Sequence, residues 1–363
     1  MRRITRIELK NALERLLIIL GSVLAALLVA ALFILPAGVN PMSAFAAMFR
    51  GAFGSISGIG DVLLKATPII LVGLGVCISL SGGHSNLGGD GQLIMGGLFS
   101  AMVGITFKGI LPNALLYPMV IFTAVLAGGI WGGIAGFLKM RFGMSTIIVT
   151  IMLNYIAANL LTFFVEGPFK GADSYLPQTA PVPKAFELAK FMPGMRANFG
   201  FVVALTFAFI VYFLLKNTVV GYRIRALGQA PKAAAYAGVR SDRYAFWLMF
   251  VAGAFAGLAG MIEIYGVHFR VLDGIASGYG YLGISAALLA GNNPLALILS
   301  SAFFGALKVG ANFMQVKMQI PASIVNITQG IIILFMMISP GIKALFAAKI
   351  DRIKLLRMKR QSV

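Results

Sequence analysis

Hydrophobic residues in this chain fall into long, nearly uncharged runs. About 20 apolar residues cross the hydrocarbon core of a bilayer as a helix, and runs of roughly that length recur along the whole chain. The pattern predicts an all-α polytopic membrane protein with about ten transmembrane helices. The predicted spans are residues 16–35, 66–81, 91–107, 113–137, 144–165, 199–215, 244–264, 279–291, 295–316 and 320–340.

Two stretches decide how the runs are divided. Residues 274–307 carry no charge and are too long for one span, and the Asn292-Asn293-Pro294 turn signal splits them into two. Between the second and third spans lies a Gly-rich break, residues 81–91, which contains Asp90. Irregular backbone at membrane depth is tolerated only where protein buries it or where it lines a watery cavity.

The positive charges indicate the orientation. The net charge is +19, and 20 of the 30 Lys and Arg residues fall in the two termini, in residues 139–143 and in residues 216–243. By the positive-inside rule these segments are cytoplasmic, and the 166–198 loop is external. The predicted organisation is a cytoplasmic segment (1–15), a transmembrane domain (16–342) and a basic cytoplasmic tail (343–363). Charges confined to loops argue against nucleic acid as a partner.

Composition excludes several kinds of chemistry. Hydrophobic residues make up 59% of the chain and charged residues 11%, against about 25% charged in soluble domains. One cysteine, Cys77, and two histidines make a Cys/His metal site unlikely to form, so no metal is expected. The sequence has no phosphate-binding P-loop and no catalytic constellation, so neither its own ATPase site nor catalytic residues are predicted.

Glycines recur at spacings that favour close helix packing. Gly128, Gly132 and Gly136 lie four residues apart, as do Gly253 and Gly257. Small residues at this spacing let membrane helices approach closely, and bundle packing is the favoured interpretation over a gating role. The run from residue 278 to 283 matches G-x-G-x-x-G, but it follows no strand, so it too predicts helix packing rather than a dinucleotide site.

The cytoplasmic segment 216–243 contains a short predicted helix. Pro231 suits the first turn of a helix, and Gly238 suits its C-terminal cap. The residues between them are strong helix formers, so a two-turn helix outside the membrane is expected. A solvated positive loop needs no such helix, and the segment therefore resembles a docking element.

Several motifs resemble one family of transporters. The run from Leu227 to Gly238 is similar to the cytoplasmic coupling loop of ATP-binding-cassette importer permeases that serve branched-chain amino acids, simple sugars and nucleosides. Residues 86–92, Asn-Leu-Gly-Gly-Asp-Gly-Gln, resemble that family's Asn-Ile-Gly-x-Glu-Gly-Gln signature, with Asp90 in place of Glu. Further matches, closest to the nucleoside and simple-sugar branch, are residues 150–156, 167–170, 278–294 and 320–330.

The resemblance implies a permease subunit in the bacterial plasma membrane for ATP-driven uptake of nucleosides or simple sugars. It implies cytoplasmic ATP-binding-cassette ATPase partners, a second permease, identical or homologous, and an external substrate-binding protein. ATP would be used by the partner subunits, and no cofactor is expected in this chain. The residues expected to couple to the ATPase are Leu227, Gly228, Pro231, Ala233, Ala234, Tyr236, Ala237 and Gly238.

Polar side chains within the spans are candidates for the substrate path. An amide or carboxylate facing lipid is costly, so each should face protein or water. The candidates are Asn86, Asp90, Gln92, Asn154, Asn312 and Gln329. Hydrogen bonds between helices are the alternative role for these amides, and capping of the helix that begins at Gly91 is the alternative for Asp90.

Two other classes of protein remain open. An ion- or proton-coupled secondary transporter of a small polar solute would need ionisable residues inside the membrane. Only Asp90, Glu263, His268 and Lys308 come near that requirement. A membrane enzyme would need a catalytic constellation, which the sequence lacks.

Overall fold

The computed structural model describes residues 21, 24–172, 175–192 and 194–335. The predicted terminal segments 1–15 and 343–363 lie outside the described residues. Within them the chain is almost entirely helical and forms only isolated β-bridges, which confirms the polytopic all-α prediction. The helices are α1 (Leu24–Ala37), α2 (Pro41–Phe53), α3 (Ile56–Ser81), α4 (Gly89–Thr106), α5 (Asn113–Phe142), α6 (Thr146–Glu166), α7 (Gly200–Asn217), α8 (Val219–Gln229), α9 (Pro231–Tyr236), α10 (Ser241–Glu263), α11 (Tyr279–Leu289), α12 (Pro294–Met318) and α13 (Ala322–Phe335).

The count of ten spans stays a prediction. Six of the described helices are long and apolar enough to cross a membrane, and α1 with α2, bent by 110° at their junction, could form a seventh. Helix α4 has 18 residues, but Asp90 and Gln92 lower its hydropathy. Helix α11 has 11 residues, or about 16 Å, roughly half the apolar thickness of a bilayer.

The described part of the chain divides into two compact units, and the smaller comprises its residues up to 54 and from 307 to 335. Helix α2 of this unit was not predicted. It begins where Asn40 accepts a hydrogen bond from the Met42 amide at 2.9 Å and where Pro41 occupies the first turn. The core of the unit is apolar and comprises Ile34, Ala44, Ala311, Met314, Ile320 and Val325.

The larger unit, residues 55–306, is built around α3, which is buried along most of its length. This helix begins ten residues before the predicted span 66–81, because Ser55 accepts a hydrogen bond from the Gly58 amide at 2.9 Å. Two charged residues in the added turns have partners. Asp61 lies 3.8 Å from Arg196, and Lys65 Nζ lies 2.8 Å from a tyrosine hydroxyl on α11.

The predicted glycine faces meet in this unit. A Cβ atom at Gly128 of α5 would lie 2.7 Å from Gly257 Cα of α10, and one at Gly136 would lie 2.7 Å from Phe246 Cα. Atoms that close would force the backbones apart. The glycines therefore allow α5 and α10 to pack at short distance, as the spacing predicted.

The coupling segment and the long loop lie at opposite ends of α10. Helix α9 contacts α10 near its start at Ser241. At the other end, amides of the 166–198 loop bond to backbone carbonyls just after α10: Leu188 N donates to Tyr265 O and Val182 N donates to Phe269 O, both at 2.9 Å. Because α10 has 23 residues, about 35 Å separates its two ends, which is enough to cross a bilayer.

Candidate functional site

The Gly-rich break joins α3 to α4 through non-helical backbone at residues 82–88. Gly83 has a φ of +81°, a conformation that glycine adopts readily. A Cβ at Gly83 would lie 3.3 Å from Gly228 Cα, and one at Gly228 would lie 3.0 Å from Gly83 N. The break therefore touches the end of α8, the helix that leads into the predicted docking helix.

Two buried side-chain amides, one in the break and one in the first turn of α4, bond to each other. Asn86 Nδ2 donates to Gln92 Oε1 at 3.0 Å, and Gln92 Nε2 donates to Asn86 Oδ1 at 3.1 Å. Asn86 Oδ1 also accepts from the Gly88 amide at 2.9 Å. These bonds satisfy buried polar groups and fold the break back onto the first turn of α4.

Asn154 of α6 forms hydrogen bonds to the backbone of the break and of the first turn of α4. Its Oδ1 accepts from the Gly91 amide at 2.8 Å, and its Nδ2 donates to the Leu87 carbonyl at 2.8 Å. Thr150, one turn earlier on α6, accepts from the Leu87 amide at 3.3 Å. We call Asn86, Gln92 and Asn154 the amide knot. All three use their amides to bond protein groups, which is the alternative role that the sequence left open.

Asp90 accepts a hydrogen bond from a helix other than its own. No side chain caps the N-terminus of α4 from its N-cap position, Gly88. Instead Asp90 Oδ1 accepts a hydrogen bond of 2.6 Å from the Gly280 amide, in the first turn of α11. A carboxylate is favourable at this end of a helix because the first amides are unpaired and carry partial positive charge. Asp90 thus joins the starts of two short helices 190 residues apart in sequence.

The G-x-G-x-x-G run supplies the close approach that this contact requires. A Cβ at Gly283 would lie 2.7 Å from Val72 Cγ1, and one at Gly280 would lie 2.8 Å from Asp90 Oδ1. The run therefore packs α11 against α3 and α4, as predicted, and it adjoins no strand.

The other two path candidates lie in the smaller unit. Asn312 is exposed on α12, and Gln329 Nε2 on α13 donates to the Leu307 carbonyl at 3.3 Å. Of the six candidates, the structure brings four together around the break: Asn86, Asp90, Gln92 and Asn154.

The docking helix forms where the sequence predicts it, as α9. It starts at Pro231 and ends in a Schellman motif, in which Gly238 N donates to Ala235 O and Val239 N donates to Ala234 O, both at 3.0 Å. Gly238 has a φ of +80°, as this motif requires. The helix has six residues, slightly fewer than two turns.

The coupling residues divide between two faces. Leu227 and Ala234 are buried by this chain itself. Pro231, Ala233 and Ala237 are exposed, and Tyr236 is 95% exposed. Large exposed aromatic side chains are typical of protein contact surfaces. Ala234 is therefore an internal packing residue, and Tyr236 is the direct probe of any docking surface.

His84 lies in the break, between the membrane helices. Burial, assisted by the positive charge of Lys139 at the end of α5, lowers the pKa of His84 below its usual value. Both effects disfavour the protonated, positively charged form of the imidazole.

A second cluster of polar side chains lies around Glu263, and the sequence indicated only part of it. Glu263 and His268 were noted as ionisable residues within a predicted span or close to its end, but their neighbours Lys65 and Tyr279 were not. The hydroxyl of Tyr279 lies 2.8 Å from Lys65 Nζ, and His268 Nε2 lies 3.5 Å from Glu263 Oε2. The sequence does not indicate that these residues are neighbours, because Lys65 lies on α3, Tyr279 lies on α11, and Glu263 and His268 lie at and just after the end of α10.

Comparison with known proteins gives consistent results. Residues 58–338 match the family described as the branched-chain amino acid transport system / permease component. The guanosine ABC transporter permease protein NupP of Bacillus subtilis (strain 168) is 34% identical over 91% of this chain and 95% of its own length. The glucose ABC transporter permease protein TsgB13 of Haloferax volcanii is 32% identical over 89% of this chain and 87% of its own. The nucleoside ABC transporter permease protein NupB of Lactococcus lactis subsp. cremoris is 30% identical over 90% of this chain and 92% of its own.

Proposed function

Because the chain belongs to the permease family of the branched-chain amino acid transport system, we propose that it forms the translocation path of an ATP-driven importer of nucleosides or simple sugars. The observation that carries the proposal is the exposed helix α9, which directly follows the end of α8 that touches the Gly-rich break. Relatives along nearly the whole chain are permeases for guanosine, nucleosides and glucose, which supports the substrate class.

The partners follow from the two ends of the larger unit. A cytoplasmic ATP-binding-cassette ATPase docks on α9, where Tyr236 is exposed and basic residues surround the helix. A substrate-binding protein delivers the solute at the opposite end, over the 166–198 loop. A second permease, identical or homologous, completes the path. The protein spans the bacterial plasma membrane with both termini in the cytoplasm, in accord with the Lys and Arg distribution.

The contact between the break and α8 provides a route for coupling. Gly83 and Gly228 bring the two backbones together with no side chain between them. Movement of α8 and α9 under the ATPase would therefore displace the break, and with it the start of α4. ATP binding and hydrolysis would shift the permease between outward- and inward-open states, because the two states differ in their contacts with the ATPase.

The substrate path runs past the break, where Asn86, Asp90, Gln92 and Asn154 meet. Asn312 and Gln329 stay separate candidates for the path. The hydrogen bonds of the amide knot favour a role in shaping the path rather than in binding the solute. Alanine substitution at each of the six positions, with uptake and protein abundance both measured, separates these roles. A path residue loses uptake at normal abundance, whereas a packing residue loses both together.

An ion-coupled secondary transporter is the second candidate, and the buried Glu263 carboxylate is the observation that favours it. Reconstitution decides between the two. The permease is placed in proteoliposomes with its candidate ATPase and binding protein, and uptake of labelled guanosine and glucose is measured. Uptake that requires ATP and a hydrolysis-competent ATPase supports the importer. Uptake by the permease alone, driven by a proton or sodium gradient, would reject it.

A further inference from the structure

Glu263 is a buried carboxylate whose oxygens make no hydrogen bond of ordinary length and angle among the described residues. It is the last residue of α10, its residue surface is 1% exposed, and neither Oε1 nor Oε2 has a hydrogen-bond partner among the described residues. Its nearest ionic neighbour, His268 Nε2, is 3.5 Å from Oε2 and only partly buried. A buried carboxylate that is not fully hydrogen-bonded is costly, and in the described part of the chain Tyr279 is the one neighbouring hydroxyl placed to donate to Glu263, so the remaining acceptor positions call for a ligand that supplies donors.

Donor groups stand beside this carboxylate. Tyr279, the first residue of α11, is buried next to Glu263 and lies within reach of its charge. The hydroxyl of Tyr279 is 2.8 Å from Lys65 Nζ, and the same ammonium lies 5.6 Å from the centre of the tyrosine ring. We call Lys65, Glu263, His268 and Tyr279 the Glu263 cluster. Together they offer two acceptor oxygens, several N–H or O–H donors and one aromatic face.

The cluster lies beside two backbone features that are common at the binding sites of transporters, a π-helical turn and the start of a short helix. Glu263 immediately precedes the π-helical turn Ile264–His268, and such turns are frequent at functional sites. Tyr279 follows Gly278, whose φ is +75°, at the start of a helix too short to cross the membrane. Half-length helices beginning inside the bilayer are a common element of transporter binding sites. The amide knot, by contrast, uses its donors and acceptors on protein groups.

We propose that the Glu263 cluster binds the hydroxyl groups of the transported solute, such as the ribose diol of a nucleoside or the hydroxyls of a hexose. Glu263 accepts hydrogen bonds from two hydroxyls, Lys65 and Tyr279 donate to hydroxyl oxygens, and the tyrosine ring packs against the sugar. The carboxylate is covered in this structure, so the contact forms when α11 moves at Gly278. The proposal rests on the proposed function and names the chemistry that the path recognises.

The test compares solutes with and without a hydroxyl in the reconstituted importer. Uptake of guanosine and 2′-deoxyguanosine, and of glucose and 2-deoxyglucose, is measured for wild type and for Glu263→Gln. Each variant rate is divided by the wild-type rate for the same solute, which cancels the selectivity of the binding protein. Glu263→Gln should lower uptake of the hydroxylated solute about tenfold or more, because a hydrogen bond to a charged group is lost. The deoxy solute should change about twofold or less.

Two further variants keep the test decisive. Tyr279→Phe removes one hydroxyl with almost no change in shape, and it should reproduce the selectivity shift even if Glu263→Gln folds poorly. Glu166→Gln alters an exposed carboxylate at the end of α6 and should leave both rates unchanged. Equal loss for both solutes at normal abundance, or no loss for either in both variants, would overturn the inference alone. Wild type that imports none of the four solutes would overturn the proposed function and the inference with it.

Discussion

A single methyl group at Gly96 should separate three helices. Gly96 lies in α4, where α5 and α10 both approach its backbone. In Gly96→Ala the new Cβ would lie 2.8 Å from the Ala124 carbonyl oxygen and 2.8 Å from the Gly257 carbonyl carbon, and it would also meet Gly257 Cα. All three are backbone atoms, which cannot rotate away as a flexible side chain could.

The expected effect is the difference between two opposing terms. At two of these backbone atoms the Cβ is about 0.6 Å short of the 3.4 Å at which ordinary contact begins, and at Gly257 Cα it is closer still, so the helices must shift. Overpacking of this kind costs about 1–3 kcal/mol. Alanine is favoured over glycine inside a helix by up to about 1 kcal/mol, which opposes that cost. We therefore expect Gly96→Ala to lower the free energy of unfolding by about 1–2 kcal/mol.

Gly330→Ala provides the matched control. Gly330 is also helical, lies on α13, and has no atom within 4 Å of the position of an added Cβ. This variant should gain up to about 1 kcal/mol, because only the helix-propensity term remains. The two variants should thus shift stability in opposite directions.

Unfolding in mixed detergent micelles measures both effects. Trp131 on α5 and Trp247 on α10 are the two tryptophans of the chain, so their fluorescence reports on the two helices that pack against Gly96. Titration with a denaturing detergent then yields the free energy of unfolding for each variant. If Gly96→Ala were as stable as Gly330→Ala, the three-helix packing described here would be wrong.

Three other predictions test separate parts of the structure. Asp90→Asn should lower the free energy of unfolding by about 1–2 kcal/mol, because a charge-assisted bond to the first turn of α11 is weakened; an unchanged value in the same titration would contradict this cap. Tyr236→Ala should reduce the transport-coupled ATPase rate at least fivefold with normal membrane insertion, and a normal coupled rate would exclude docking at α9. With Cys77 replaced by alanine, an impermeant thiol reagent applied to intact cells should label a cysteine at Tyr175 but not one at Lys232, and the reverse pattern would refute the predicted orientation.

Short-range features were predictable because their causes lie within a few residues. Pro231 and Gly238 bound the docking helix through local backbone preferences, and the Schellman bonds of the structure are the expected result. The four-residue spacing of Gly128, Gly132 and Gly136, and of Gly253 and Gly257, likewise predicted close helix contacts, since four residues return to the same face of a helix. The Gly-rich break at 81–91 was also recognisable from its composition.

Helix starts were harder to predict where charge interrupts an apolar run. The predicted span 66–81 omits the first ten residues of α3, which contain Asp61 and Lys65. In the structure both side chains have partners from distant segments, so a helix that carries them remains stable. Hydropathy scores each residue alone and cannot include such partners.

The sequence by itself determined that the chain is helical with several long apolar helices, the bounds of the short helix α9 and the family, because these depend on composition, local spacing and ordered motifs. Only the tertiary structure decided which polar groups meet. Asp90 accepts a hydrogen bond from the first turn of α11, and Lys65 of α3 meets Tyr279 of α11, although long stretches of chain separate them. Hydrogen bonds and ion pairs act over a few ångströms in space, so their partners are set by how the helices pack and not by their order along the chain.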